Sequence, residues 1–347
     1  MNALPEINEP APPTVVPAAA AQTVSTIQSA SASRPSYWKG LLIPIAAGAA
    51  AAVHWQASQK QNPLETAAYF QFLAIVGGAG VLLMIVQLFW SGLRKWLNDM
   101  APIIAATLLV LGVAEILTAG MRLLPMPYFP SPAAVLFNLI DDCEMLFDCA
   151  WHSLLLLVEG YLLGVLIGVT TGVCIGWFSI ARYWGMPILK VVGPIPVTAL
   201  IPLAMVVAPS TKVASIGLVA LAVWFPVTML TASGISNTRA SYLDVARTLG
   251  AKPSYLIFRV AIPAAMPNIF IGLFMGLGTS FLTLVVAEKV GVKSGLGWYV
   301  DWAQGWAEYA KVYAALVIMS VFFSTIMTAL FKVRDRVLVW QKGTIKW

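Results

Sequence analysis

Residues 151–178 read WHSLLLLVEGYLLGVLIGVTTGVCIGWF, an almost uninterrupted apolar run. About 20 such residues cross the hydrocarbon core of a bilayer as a helix, so the run predicts a transmembrane helix. Glycines recur at every fourth position and share one side of this helix, where another helix can approach closely. That other helix belongs either to the same chain or to a second copy of it. The five glycines are Gly160, Gly164, Gly168, Gly172 and Gly176.

The whole chain has a similar apolar character. Of its 347 residues, 59% are hydrophobic and only 10% are charged, whereas a soluble domain has about 25% charged residues. This composition excludes a water-soluble globular domain and predicts an all-α polytopic membrane protein with about eight transmembrane helices. Pro194, Pro196 and Pro202 interrupt the fifth span, which we expect to be bent or broken. The predicted spans cover approximately residues 39–57, 69–90, 102–121, 151–178, 187–208, 213–235, 264–287 and 312–331.

The two ends of the chain are predicted to lie in the cytoplasm. Residues 1–36 are rich in Ala, Pro, Ser and Thr and contain no aromatic residue, which is typical of a disordered tail. No basic residue precedes Arg34, so a signal peptide is not expected. Eight spans put both termini on one side, and fifteen of the 21 Lys and Arg residues fall on that side. The positive-inside rule makes it the cytoplasmic side, with residues 336–347 as a short tail.

The longest polar break between spans covers residues 236–263 on the predicted cytoplasmic side. From Asn237 it reads NTRASYLDVARTLGAKPSYLIFRVAIP. Residues 244–248 favour a short amphipathic helix, Gly250 its C-terminal stop with positive φ, and Pro253 the start of a second short helix. Apolar residues beside Arg and Lys are typical of a docking surface, but also of a helix lying on the bilayer. The composition of this segment does not decide between the two.

The spacing within this break resembles the EAA loop of ABC importer permeases. In that pattern Glu-Ala-Ala is followed by three residues, Gly, nine residues and Ile-x-Leu-Pro; here Asp and Val replace the first Glu and Ala. Flanking segments, such as Gly193-Pro194-Ile195-Pro196 and Ser294-Gly295-Leu296-Gly297-Trp298, resemble the branch that imports nitrate, sulfonates, taurine and bicarbonate. The resemblance covers about residues 100–335. The residues that it assigns to ATPase coupling are Asp244, Val245, Ala246, Gly250, Val260, Ile262 and Pro263.

The resemblance implies a domain order and a set of partners. The last six spans would form the permease core at residues 100–335, after two additional helices at residues 37–99. The chain would lie in a bacterial inner membrane as a homodimer, with its loops on ABC ATPase subunits and a periplasmic binding protein on the opposite face. Asp244, near the start of its helix, would suit the positive end of the helix dipole and pair with a basic group of the partner.

The resemblance also implies a cargo and a division of labour. The cargo would be a small oxyanion of the nitrate, bicarbonate, taurine or alkanesulfonate class. The sequence contains no Gly-Lys-Ser/Thr and therefore no Walker A phosphate loop. We therefore predict that the chain is not an enzyme and binds no cofactor, and that ATP and Mg are held by the separate ATPase. Nor does any basic stripe with interleaved aromatics indicate nucleic acid.

Three acidic residues lie in or at the border of predicted spans: Glu115, Glu159 and Glu288. Intramembrane carboxylates are costly, so each is a candidate for the translocation pathway. Hydrogen bonds between helices are the alternative for Glu115 and Glu159, and an ion pair with Lys289 is the alternative for Glu288. These glutamates favour a rival function, a secondary transporter driven by an ion gradient.

The remaining reactive residue types predict no further site. No paired His and Cys spacing is typical of a metal centre, and no Ser-His-Asp set indicates a catalytic site. Cys143 and Cys149 are close enough in sequence to form a disulfide if their loop faces an oxidising compartment, but spacing alone does not establish one.

Overall fold

A computed structural model of the chain describes residues 37–57, 63–125 and 127–341. The predicted tail at residues 1–36, and residues 342–347 of the predicted C-terminal tail, lie outside these ranges. The described part is helical, with short connections. Its helices are α1 (Leu42–Ala57), α2 (Pro63–Val86), α3 (Ser91–Glu115), α4 (Pro132–Asp141), α5 (Cys143–Trp177), α6 (Ser179–Val192), α7 (Ile201–Val207), α8 (Thr211–Ser236), α9 (Ala240–Thr248), α10 (Pro253–Gly291), α11 (Leu296–Gly305) and α12 (Tyr309–Val337).

Seven helical segments of the described residues are long and apolar enough to cross a membrane, and a bent pair makes an eighth. The pair consists of α6 and α7, which meet at an angle of 83°. The break between them contains Pro194 and Pro196, which cannot donate backbone hydrogen bonds and therefore interrupt the helical hydrogen-bond pattern. The prediction of about eight spans with a broken fifth is therefore confirmed.

The second short helix predicted after Pro253 does not exist as a separate element. Residues 253–291 form one continuous helix of 39 residues. A π-helical turn occupies residues 256–261, and the N–H of Ile262 donates to the carbonyl of Ile257, five residues back. Pro263 follows this wide turn and lacks an N–H of its own. We attribute the continuity to the changed hydrogen-bond register, which accommodates the proline without ending the helix.

The chain divides into two compact units. Among described residues, one unit contains residues 37–57 and 70–113, and the other contains residues 63–69, 114–125 and 127–341. The division falls inside α3, whereas the sequence resemblance begins near residue 100. The start of the permease core at that position stays a prediction.

The glycine stripe of α5 packs against α8 of the same chain. A Cβ atom at Gly164 would lie 2.6 Å from the carbonyl oxygen of Ala220, which is closer than a Cβ atom comes to any neighbouring heavy atom. A Cβ at Gly172 would lie 2.6 Å from the Cβ of Thr231. The two helices run parallel, and each glycine faces every fourth residue of α8. The α8 residues facing the stripe, in chain order, are Val219, Val223, Val227, Thr231 and Ile235.

Helix α8 also packs against α10 on another side. A Cβ at Gly272 would lie 3.1 Å from the Cα of Val227, and one at Gly276 would lie 3.2 Å from a methyl group of Val223. Both valines are completely buried. Helix α8 is therefore the centre of the larger unit, with glycines of α5 and α10 on its faces. The glycine stripe therefore packs against a helix of the same chain, which was the first of the two partners expected from the sequence.

This packing predicts opposite effects of one substitution at two glycines. Gly164→Ala should destabilise the fold by about 1–3 kcal/mol, because the backbone of α8 cannot move away from the new methyl group. Gly278→Ala, in α10, meets nothing within 4 Å. It should be neutral or stabilise by up to about 1 kcal/mol, since Ala is the better helix former. Thermal unfolding of the purified protein in detergent measures both; equal effects would contradict the close packing.

Candidate functional site

The polar break between α8 and α10 forms a short helix that ends at a glycine. Helix α9 stops at Thr248, and Gly250 has φ +80°. The N–H of Gly250 donates to the carbonyl of Arg247 at 2.9 Å, and that of Ala251 donates to Ala246 at 3.0 Å. These two bonds form a Schellman motif, which ends a helix through a left-handed residue. The positive φ predicted for Gly250 is confirmed.

The predicted place of Asp244 within this helix is wrong. Helix α9 begins at Ala240, just after the extended residue Arg239, so that Asp244 lies in its middle. The carboxylate of Asp244 is therefore not at the positive end of the helix dipole. It instead pairs with Arg247 one turn later, with 3.1 Å between Oδ1 and Nη1. Both side chains are exposed, so this pair contributes little to stability.

An open groove of about 770 Å³ lies between α9 and the first turns of α10. Its lining is largely apolar, and several of the apolar side chains are exposed, with Leu249 at 83% and Phe258 at 67%. Of the seven residues that the resemblance assigns to coupling, Val245, Ala246, Gly250 and Val260 line the groove. The groove therefore presents an apolar surface that nothing in the described residues covers.

The other coupling candidates lie beside the groove. Ile262 packs against a buried cluster that includes Ile235 of α8 and Ala265 of α10. Pro263 is in the same turn of α10, next to Ile262. Close to this cluster, a Cβ at Gly234 would lie 3.0 Å from the Cβ of Ala265. The end of α8 and the start of α10 are thus packed together, which fixes the groove to two membrane spans.

The carboxylate of Glu288 connects three helices. It is 1% exposed and accepts hydrogen bonds from Ser153 Oγ at 2.7 Å and from the N–H of Gly297 at 2.8 Å. Ser153 Oγ accepts in turn from the N–H of Leu296 at 2.9 Å. The two N–H groups belong to the first turn of α11, where a carboxylate suits the helix dipole. Glu288 therefore holds the start of α11 against α5 and α10.

The alternative predicted for Glu288, an ion pair with Lys289, is wrong. Lys289 instead donates to the side-chain oxygen of Gln304 at 3.2 Å. Glycine is required beside the carboxylate: a Cβ at Gly295, whose φ is +123°, would lie 2.5 Å from the carboxyl carbon of Glu288. Sequence reasoning missed this arrangement because Ser153 is separated from Glu288 by 135 residues.

The other two acidic candidates have different surroundings. Glu159 is partly exposed and pairs with Lys212 at the start of α8, with 3.1 Å between Oε1 and Nζ. Glu115 is completely buried at the end of α3. Neither lies in the groove between α9 and α10. A place for Glu115, Glu159 and Glu288 in a translocation pathway stays a prediction.

Sequence reasoning also missed an arginine that ends a span. The guanidinium of Arg182 donates to the carbonyl of Ile175 at 3.2 Å and to that of Gly176. These are carbonyls of the last turn of α5, which otherwise lack helical partners. The available signal was a basic residue a few positions beyond the last glycine of the stripe.

The sequence left open a disulfide between Cys143 and Cys149. Both cysteines are free thiols in the structure.

The contacts of Glu288 predict a coupled loss of stability. Glu288→Ala should destabilise the fold by about 1–3 kcal/mol, because the buried hydroxyl of Ser153 and N–H of Gly297 lose their acceptor. Combined with Ser153→Ala, the two effects should be non-additive by about 0.5–3 kcal/mol in a double-mutant cycle of unfolding in detergent. Glu159→Ala, which breaks an exposed pair, is the control and should cost less than about 1 kcal/mol. Simple additivity would contradict the network.

Comparison with known proteins identifies relatives over about half of the chain. A probable ABC transporter permease of Haemophilus influenzae is 32% identical over 163 residues, which are 46% of this chain and 66% of the relative. The bicarbonate transport system permease CmpB of Synechocystis is 26% identical over 53% of this chain and 68% of that protein. The putative aliphatic sulfonates transport permease SsuC of Bacillus subtilis is 30% identical over 44% of this chain and 56% of that protein. The chain spans 58–66% of the length of the first relatives it matches.

A solved structure and a family profile complete the comparison. The MetNI methionine ABC transporter, solved in inward-facing conformations, contains a chain that superposes with a TM-score of 0.49 at 17% identity. The superposition covers 57% of this chain and 98% of that chain. The profile of the family described as "Binding-protein-dependent transport system inner membrane component" matches residues 160–338, more than half of the sequence. The chain belongs to this family of inner membrane transport components.

Proposed function

We propose that the chain is the transmembrane subunit of an ATP-driven ABC importer and that residues 240–260 dock an ATPase subunit. One observation carries the proposal: the EAA-like spacing folds into a short helix, a left-handed Gly250 and an uncovered apolar groove. An exposed apolar surface of this kind indicates a protein interface. Membership of the family supports the same assignment.

The groove is suited to transmitting force. Because α8 and α10 pack together directly beside it, a partner that moves α9 also moves two membrane spans. In the proposed assembly two copies of the chain form the path across the membrane, and two separate ATPase subunits bind ATP and Mg. Closure of the ATPases on ATP would push the two loops together and change which side of the membrane the path faces. The chain itself would not hydrolyse ATP.

The topology and the remaining partner follow from this arrangement. The docking loop must face the compartment that contains ATP, so both termini would lie in the cytoplasm, as the distribution of Lys and Arg also favours. A periplasmic binding protein would deliver the cargo to the opposite face. We propose a small oxyanion as cargo, supported by the relatives named for bicarbonate and for aliphatic sulfonates. Titration of the cognate binding protein with nitrate, bicarbonate, taurine and alkanesulfonates tests the cargo.

The rival function is a secondary transporter, which the glutamates in or beside the predicted spans favoured. Glu288 receives hydrogen bonds that position α11, and Glu159 is paired with Lys212. Neither arrangement requires a carboxylate that binds a transported ion. Uptake that continues after deletion of the cognate ATPase would nevertheless contradict the importer and restore this rival.

The left-handed conformation of Gly250 predicts the effect of a branched side chain. Gly250→Val meets open space, so it should not disturb the membrane spans, but at φ +80° it costs more than about 1 kcal/mol and should shift the end of α9. We expect an inserted protein that no longer co-purifies with the ATPase and does not transport. Asp244→Ala should weaken association less, since Asp244 pairs within its own helix.

The control is Gly305→Val, at an exposed glycine of α11 that also meets nothing within 4 Å and lacks a positive φ. This variant should bind the ATPase and transport like the parent. Association and uptake that survive Gly250→Val would show that the loop is not the coupling element.

A further inference from the structure

Two basic side chains on the groove make no ion pair within the described residues. Lys252 precedes the first turn of α10, and Arg259 lies in the π-helical turn. Both line the groove and both are exposed. They therefore present two positive charges beside an apolar surface.

The other two basic residues of the segment, Arg239 and Arg247, have contacts within the chain. Arg247 pairs with Asp244, which is the only acidic residue in residues 237–263. The guanidinium of Arg239 lies 5.9 Å from the centre of the Tyr242 ring, a cation–π distance. The acid of the EAA-like motif is thus neutralised one helical turn away. The charge that remains for a partner is positive: Arg239 keeps its charge beside Tyr242, and Lys252 and Arg259 carry theirs on the groove.

We propose that the groove binds an acidic segment of the ATPase subunit, with an apolar side chain in the groove and carboxylates paired with Lys252 and Arg259. The inference rests on the proposed function and adds the chemistry of the partner surface. Complementary charges at the edge of an interface raise the association rate and set the orientation of the partner.

The shape of the groove favours a protein over a membrane surface. A helix that binds a bilayer presents one apolar face flanked by several free basic residues. Helix α9 has nine residues, and its one basic residue is already paired with an acid that an anionic leaflet would repel. The groove is also concave, and a side chain projecting from a protein fits it better than a flat layer of headgroups does.

The test uses the full chain in nanodiscs of neutral phosphatidylcholine and the ATPase subunit that co-purifies with the parent. The affinity of the parent should fall about tenfold or more between low salt, near 50 mM, and 500 mM, because screening shortens the range of the charges. Lys252→Glu with Arg259→Glu should weaken binding by about tenfold or more at low salt and abolish the salt dependence. Lys332→Glu with Arg336→Glu, the same charge change on α12 outside the groove, is the control and should bind like the parent.

Each other outcome contradicts a defined part of the account. Equal loss of affinity in the control would show an effect of net charge alone and overturn the inference. Unchanged ATPase affinity in the groove variant would overturn the inference. If the affinity of the parent, but not that of the groove variant, also fell in nanodiscs containing phosphatidylserine, the groove would be a site for anionic lipid. A parent that binds the ATPase without salt dependence overturns the charge pairing but leaves the proposed function intact. A parent that does not bind the ATPase overturns both.

Discussion

The close approach of α8 to α5 and α10 is the constraint on which the rest of the larger unit depends. Lipid offers no hydrophobic driving force between helices, so packing at short range has to hold them together. Glycines of α5 and α10 provide it, because they bring backbone against Val223 and Val227 of α8. Helices α5 and α10 both meet α8 at glycines, whereas the bent pair of α6 and α7 contacts it through larger residues such as Leu189 and Ile201. We expect a larger residue at a packed glycine of α5 or α10 to displace α8.

This packing also explains how a polar loop can act on the membrane spans. The loop leaves α8 and returns into α10, and these helices meet at Gly234 and Ala265 directly beside the groove. The π-helical turn lets α10 continue through Pro263 without a joint. A partner seated on α9 therefore acts on two packed helices through a short and stiff connection. Glu288 plays a corresponding part near the other end of α10, where it joins α11 to α5.

Local signals in the sequence predicted the features that local chemistry determines. Apolar length gave the spans, the prolines gave the break between α6 and α7, and the spacing gave Gly250 as a helix stop. Features that depend on distant residues were not predictable in this way. The partner of Glu288 lies 135 residues away, and the start of α9 at Ala240 has no side-chain cap that would mark it. The continuity of α10 depends on a changed hydrogen-bond register that the sequence of Pro263 and its neighbours does not reveal.

The central claim is that residues 240–260 are the surface on which the ATPase sits. Amide hydrogen–deuterium exchange of the full chain, measured with and without the ATPase, tests it most directly. The account predicts slower exchange in residues 240–260 when the ATPase is bound, and no change in α11, which the Glu288 network holds at the other end of α10. Unchanged exchange in residues 240–260, with protection elsewhere in the chain, would contradict the account.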